Sequence, residues 1–543
     1  MWVGIARQFD DLLGSFIHVA LALAVGGLVW GLVGLRGWRA AGGSDGAGWA
    51  AARARTLALA QHGALALVLF QASHLGAKLV VLADAVGRLP LTEVLELRYF
   101  QSALTRIALA ALLALLLGRL RGNPDDRRRW LAALAAGGGV IACGAFLVHA
   151  AARLDDGRLM MTMTALHQAA AAVWVGGVVN LAVLWRLGRT RPEVARLWPR
   201  ALGRFSPIGM AAVGLLLATG TPLALTFVAT LDGLLGSAYG SLLVSKGIVL
   251  AALLGLAALH FRAGRKADHG DFPGSAPATV ETEAILLTMV LFLAAALAAL
   301  PPSIDVVAQH ASWREVLASF LPRIPQLTSP TATEELAVSA TVSGVVARTA
   351  VTARELWSDY NHNMSGLLLL LVGAGALADR TGRLPPARHW PLLFILLGLF
   401  VLIRADNNFW PLGPRPLWEV FAMASALQHK IATVIVFAMA ILEWRARTAA
   451  SPGKLPYMFP VLCLAGGVLL LTHSHGAFEM KVEYLEQVTH TAMGVLALFI
   501  GAFRWLELRL GPDSRAGRRA GLLAVLCLIG VAIVLIFYRE PIG

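Results

Sequence analysis

The sequence predicts an all-α polytopic membrane protein of about 14 transmembrane helices with both termini external, and three observations predict it. Of its 543 residues, 57% are hydrophobic and 14% charged, with mean hydropathy +0.69, which leaves too little charge to solvate a water-soluble surface. The apolar residues fall in runs of about 17 to 27, each long enough to cross a hydrocarbon core of about 30 Å as a helix. The Lys and Arg residues gather in alternate connections between those runs, 29 against 13 of the 46, and by the positive-inside rule the richer side is cytoplasmic.

The runs, bounded by Arg clusters, Pro and Gly, centre near Ala24, Leu69, Ala110, Ile141, Val175, Leu217, Ala251 and Phe292, then near Leu370, Leu396, Val434, Val468, Ala497 and Gly530. A long connection divides them into an eight-helix membrane domain (1–300), an external loop (301–359) and a six-helix His-rich membrane domain (360–543). The loop carries Trp313, Pro322, Pro325 and Pro330, and is either a linker or a set of helices lying on the membrane. Asp10 and Asp11 stand where a cleavable signal would be basic or apolar, so the first span is expected to be retained.

The formal charge of +14 is accounted for by topology, so nucleic acid is not an expected partner; the lipid bilayer is. Cys143, Cys463 and Cys527 all lie in apolar segments without pairable or metal-binding spacing. No P-loop, HExxH or CxxC pattern is present, and the chain is not expected to be an enzyme. Gly26-Gly27 and Gly176-Gly177 read as sites where helices pack closely.

Ionisable side chains inside a bilayer are costly, so their placement is the strongest functional signal in so apolar a chain. Nine of the fourteen histidines fall at the outer side or within the membrane on this topology. His18, His74, His149 and His167 belong to the first domain. His362, His473, His475 and His490 sit at the outer ends of later helices, with His429 deeper, near mid-membrane. Neutral imidazole is the commonest metal ligand, and thioether sulfur shifts preference toward Cu(I), so His with Met at an outer face points to a copper ion.

In the first domain Met160, Met163, His167 and Trp174 share a helical stripe, as do Asp11, Ser15 and His18 on the first helix and Gln71, His74 and Lys78 on the second. In the last domain Met480, Glu483, Gln487, His490 and Gly494 can share one. The pattern His362-x3-Gly366-x6-Gly373 recurs as His490-x3-Gly494-x6-Gly501, a spacing that lets a neighbouring backbone approach and hold the imidazole between helices. His429 and Lys430 form a polar pair expected below the second rim of histidines.

The stretches LHQAAAAVWVGGVV, RFSPIGMAAVGLLLATGTPLAL and SAYGSLLVSKGIVLAALLGLAALHFRAGRK, between residues 167 and 266, resemble the copper resistance protein D (CopD) family of inner-membrane proteins. His167, Trp174, Gly176, Gly177, Tyr239, Gly240 and Lys246 match the family's pattern. The resemblance implies a CopD-like first domain, copper handling at the bacterial cytoplasmic (inner) membrane, and delivery by a periplasmic CopC-like copper-binding protein. The six-helix part departs from the pattern and has no assigned family.

The function expected is therefore uptake of copper at the periplasmic face through His and Met sites and movement across the membrane. Two alternatives use the same residues: a b-type haem electron-transfer protein with bis-His ligation, and a factor that inserts copper into a partner enzyme.

Overall fold

The computed structural model describes residues 2–35, 43–148, 156–267, 273–331, 333–334, 348–472 and 481–541. Among them there is no β-strand, and the chain runs almost entirely as helices. In chain order these are α1 (Trp2–Leu21), α2 (Gly43–Val86), α3 (Leu91–Glu96), α4 (Arg98–Gly122), α5 (Arg127–Ala145), α6 (Gly157–Gly188), α7 (Pro192–Val228), α8 (Leu231–Leu235) and α9 (Ala238–Ala267). There follow α10 (Ala276–Ala299), α11 (Trp313–Ala318), α12 (Arg348–Thr381), α13 (Leu393–Arg404), α14 (Ala424–Thr448), α15 (Met458–Leu471), α16 (Lys481–Leu510) and α17 (Arg515–Ile536). Beyond Leu21 the first helix continues through two π-helical turns, Ala22–Gly26 and Trp30–Gly34.

Each of the fourteen expected centres lies inside a helix. Among the described residues, twelve helices are long and apolar enough to cross a membrane. The two that fall short are α5, which opens on Arg127, Arg128 and Arg129, and α15, whose 14 residues reach about 21 Å at 1.5 Å per residue. Capping explains sharp starts: Asp126 accepts from the backbone of Arg128 and Arg129 at α5, and Ser514 from Gly517 at α17. Mid-helix side chains such as Leu69 (62% exposed), Leu217 (45%) and Val434 (67%) point outward, the inverse of a water-soluble helix and the pattern of a lipid-facing one.

The chain divides into two compact units, one of residues 6–229 and 246–302, the other of 1–5, 230–245 and 303–543. In the first, Leu28, Leu57, Leu113, Leu117, Leu120 and Trp130 form a close-packed core. Its tightest crossing joins the first helix to α6. A methyl group added at Gly26 would lie 1.9 Å from the Ala172 carbonyl oxygen, and one at Gly176 would lie 2.3 Å from that of Ala22. Lipid tails are as apolar as leucine, so helices in a bilayer associate through such close van der Waals packing rather than by escaping water.

The second unit packs Val372, Trp390, Phe394, Ala440, Phe459, Ile500 and Leu528 at its centre. Both glycine stripes seen in the sequence are close contacts: Gly366 and Gly373 lie on α17, and Gly494 and Gly501 on α15. At the C-terminal ends of α12, α14 and α16, Arg380 pairs with Glu507 at 2.8 Å, Arg504 with Glu507 at 2.7 Å and Glu443 at 3.2 Å, and Arg447 with Glu443 at 2.8 Å and with Asp379. Cations suit helix C-termini, and the guanidinium groups bind three helices together. The segment after Pro302 is anchored by Ser303 on the Gly233 carbonyl (3.0 Å), by Ala311 on the Gly236 carbonyl (2.9 Å), and by a 2.6 Å ion pair between Glu315 and Lys481.

Candidate functional site

In the first unit the α1 and α2 stripes meet through a residue the sequence pattern passed over. Asp10 takes His74 Nε2 at 2.9 Å and Lys78 Nζ at 2.8 Å; the Asp11 side chain lies outside the described residues. Burial would raise the Asp10 carboxyl, but the His74 and Lys78 contacts outweigh it and hold the group below its ordinary value. His74 Nδ1 is buried without a partner. His18 donates from Nδ1 to the Gly14 carbonyl at 2.8 Å. His167 bonds Thr219 Oγ1 at 3.0 Å, and because that hydroxyl donates to the Leu215 carbonyl at 2.7 Å, it accepts from His167 Nδ1.

Met160 is buried and Met163 half-buried at the start of α6. Trp174 turns away from them, its indole donating to Glu283 at 3.0 Å; Glu283 holds His260 Nδ1 at 2.5 Å, and His260 Nε2 reaches Thr279 at 2.8 Å. Glu283 was not foreseen, and its signal was available: an acid inside an apolar run. His149 lies outside the described residues.

In the second unit α12 and α16 bring His362 and His490 together, Nε2 to Nε2 at 3.4 Å. Their Nδ1 atoms meet the carbonyls of Ser358 and Glu486, each at 2.9 Å and four residues back. A carbonyl only accepts, so both Nδ1 atoms carry hydrogen, and in its neutral form each ring presents its Nε2 lone pair to the other. Two acceptors so placed suit a shared cation. Metal–nitrogen bonds of roughly 2.0 Å at a tetrahedral angle separate two ligand atoms by about 3.3 Å. The axial ligands of a haem instead stand about 4 Å apart on opposite sides of the macrocycle, twice that bond, so this pair does not fit haem.

Tyr538, just beyond α17, stacks on His362 with ring centroids 3.9 Å apart. Its hydroxyl donates to Glu540 at 2.7 Å, and Ser358 Oγ donates to the same carboxylate. Burial, then Glu540, pushes the Tyr538 hydroxyl well above its ordinary 10, so it stays a donor. Neither residue was foreseen, since nothing in the sequence marks a chain end as packing on a histidine.

The expectation for His429 and Lys430 needs correction. Met423 is extended (φ −123°, ψ 118°), so α14 begins at Ala424 and His429 lies in its second turn rather than near mid-membrane. His429 Nδ1 holds Asp406 at 2.8 Å, and Lys430 reaches the same carboxylate at 3.4 Å. The Nδ1 atoms of His362 and His490 meet backbone carbonyls, and Glu483 Oε2 is buried without a partner. His473, His475 and Met480 lie outside the described residues. Among the described residues no three His, Cys, Asp or Glu converge as a metal ion requires.

The fold and its buried polar seams define a multi-pass membrane protein. Residues 199–297, covering much of α7 with α9 and α10, match the family described as copper resistance protein D. Tyr239, Gly240 and Lys246 fall inside that match; His167, Trp174, Gly176 and Gly177 precede it. The copper transport protein CutJ of Bacillus subtilis (strain 168) is 32% identical over 137 residues, 25% of this chain and 25% of that protein. The matched stretch thus spans about a quarter of the length of the curated relative. No solved structure matches the chain.

Proposed function

We propose that the chain takes up copper at the periplasmic face of a bacterial cytoplasmic membrane and passes it inward, without enzymatic chemistry. The observation that carries this reading is the match of residues 199–297 to the copper resistance protein D family. The histidines supply independent support. His18, His167, His362 and His490 are each held at Nδ1, the outer-sphere contact that orients an imidazole and leaves Nε2 to a metal.

On this reading copper meets His18, His74, His149, Met160, Met163 and His167 in the CopD-like domain, with Lys78 and Lys246 beside the path and Trp174, Gly176 and Gly177 supporting it. The second rim is His362, His473, His475 and His490, flanked by His429, Lys430 and Glu483. On the expected topology of fourteen crossings with both termini outside, these histidines lie at the periplasmic side, where a CopC-like protein would deliver the ion.

Copper accumulation by cells expressing the chain tests the proposal. Expression should raise intracellular copper, and His167→Ala or His362→Ala should abolish the rise at unchanged protein level. Unchanged accumulation on expression would overturn it.

A further inference from the structure

The interior of the first unit has a charge imbalance that copper binding alone does not explain. Most of its buried ionic groups face an opposite charge: Arg53 faces Asp125 at 3.5 Å, Glu281 faces Arg186 at 3.5 Å, Glu283 faces His260, and Asp10 faces His74 and Lys78. Arg106 does not. It is 5% exposed, its one side-chain bond among the described residues goes to the neutral Gln71 amide at 3.0 Å, and its Nε is buried without a partner. Arginine keeps its proton under all ordinary conditions, so the charge is permanent.

Gly144 lets the backbone of α5 come close to this guanidinium. A methyl group added to Gly144 would stand 2.7 Å from Gln168 Oε1 and 3.3 Å from Arg106 Nη2, so the glycine faces both groups at once. Gln168 Oε1 is itself buried without a partner, and a half-turn of that amide presents its NH2 instead. The charges acting on His18 come from Arg106, Lys246 and His74, and Lys246 also acts on His167. No carboxylate partner of Lys246 is found among the described residues. A bare copper ion entering here meets repulsion from two cations.

We propose that Arg106, with Gln71 and Gln168, forms a binding site for an anion in the first unit. The ligand is a small anion or the carboxylate of a larger molecule. The proposal rests on the copper reading in one respect: it assigns the substrate class, copper arriving with anionic ligands, so that Arg106 and Lys246 attract the complex instead of repelling the ion.

The test uses the copper-free full-length chain in detergent, with thermal unfolding followed against chloride and, separately, acetate, at constant ionic strength balanced with gluconate. One of the two anions should raise the wild-type melting temperature saturably. Arg106→Gln should weaken that response about tenfold or more, the loss expected for one charge-assisted hydrogen bond, and Arg106→Lys should keep part of it. A response to chloride identifies a free anion, and one to acetate alone identifies a carboxylate.

If Arg106→Gln does not fold, Gly144→Ala serves in its place, because it keeps the guanidinium and crowds Arg106 and Gln168 from the glycine side. No response in the wild type, or an equal response in the wild type and the variants, overturns the site. Cu(I) affinity measured with and without the effective anion separates the two proposals. An anion response without copper binding defeats the copper reading and leaves the anion site standing.

Discussion

At the scale of single residues the structure assigns hydrogens, and through them roles. His362 and His490 are fixed in the same tautomer by carbonyls one turn back, so replacing either with alanine should weaken copper binding at the second rim by well over the roughly 10- to 100-fold typical of losing an outer-sphere contact. His429→Ala, which removes a partner of Asp406, should cost less; isothermal titration with a competing chelator would rank the three. Affinity should also fall as pH drops through about 6.5, where ordinary imidazoles gain a proton and lose the ligating lone pair. A different pH response is expected at Glu315, whose carboxyl Lys481 and Ser312 hold at about 2 against an ordinary 4.5. Its pairing stabilises the fold above pH 4.5 and is lost as pH falls toward 2. Both partners are largely exposed, so Glu315→Gln should cost only ~0–1 kcal/mol at neutral pH and flatten the acid limb of a stability profile.

At the scale of helices the decisive contacts are between backbones. Gly176→Leu should force α6 from the first helix and destabilise by about 1–3 kcal/mol or more, whereas Gly76→Ala, with nothing within 4 Å, should be neutral; melting temperatures in detergent would show the contrast. Helix positions were legible in the sequence because a 20-residue apolar run has few other uses, and the His-x3-Gly-x6-Gly repeat signalled both glycine contacts. What escaped was decided by backbone breaks and by distance along the chain. The extended Met423 sets where α14 begins, and so moves His429 toward its end. Asp406, Glu540 and Arg106 find their partners across turns or on other helices, where helical periodicity carries no information.

At the scale of the molecule, the second unit separates its chemistry by end. Histidines occupy the N-terminal portions of α12, α14 and α16, and an arginine–carboxylate lattice occupies their C-terminal portions. Glu443 and Glu507 are 0% and 3% exposed, so Glu443→Ala would leave Arg447 and Arg504 without that partner, a change expected to cost about 3–5 kcal/mol and to be visible as loss of the folded fraction on gel filtration. The membrane orientation rests on the Lys and Arg imbalance, and reporter fusions at Arg39, Arg128 and Arg191 should all prove cytoplasmic; an external signal at any one of them would break the fourteen-helix count.

The π-helical turns of the first helix have a consequence for heredity as well as for shape. Each such turn holds one residue more than an α-helix needs, equivalent to about 100° of rotation between the segments on either side. His18 precedes both turns and Gly26 closes the first, so the face that packs on α6 and the face that carries the imidazole are set relative to each other by a single surplus residue. Deletion of one codon between Ala22 and Val25 would let the first of these turns become regular while swinging His18 through roughly a quarter of a circle relative to Gly26. Such a chain should still insert and fold, yet lose the contribution of His18 to copper accumulation, a phenotype that substitution at any one of those apolar positions should not reproduce.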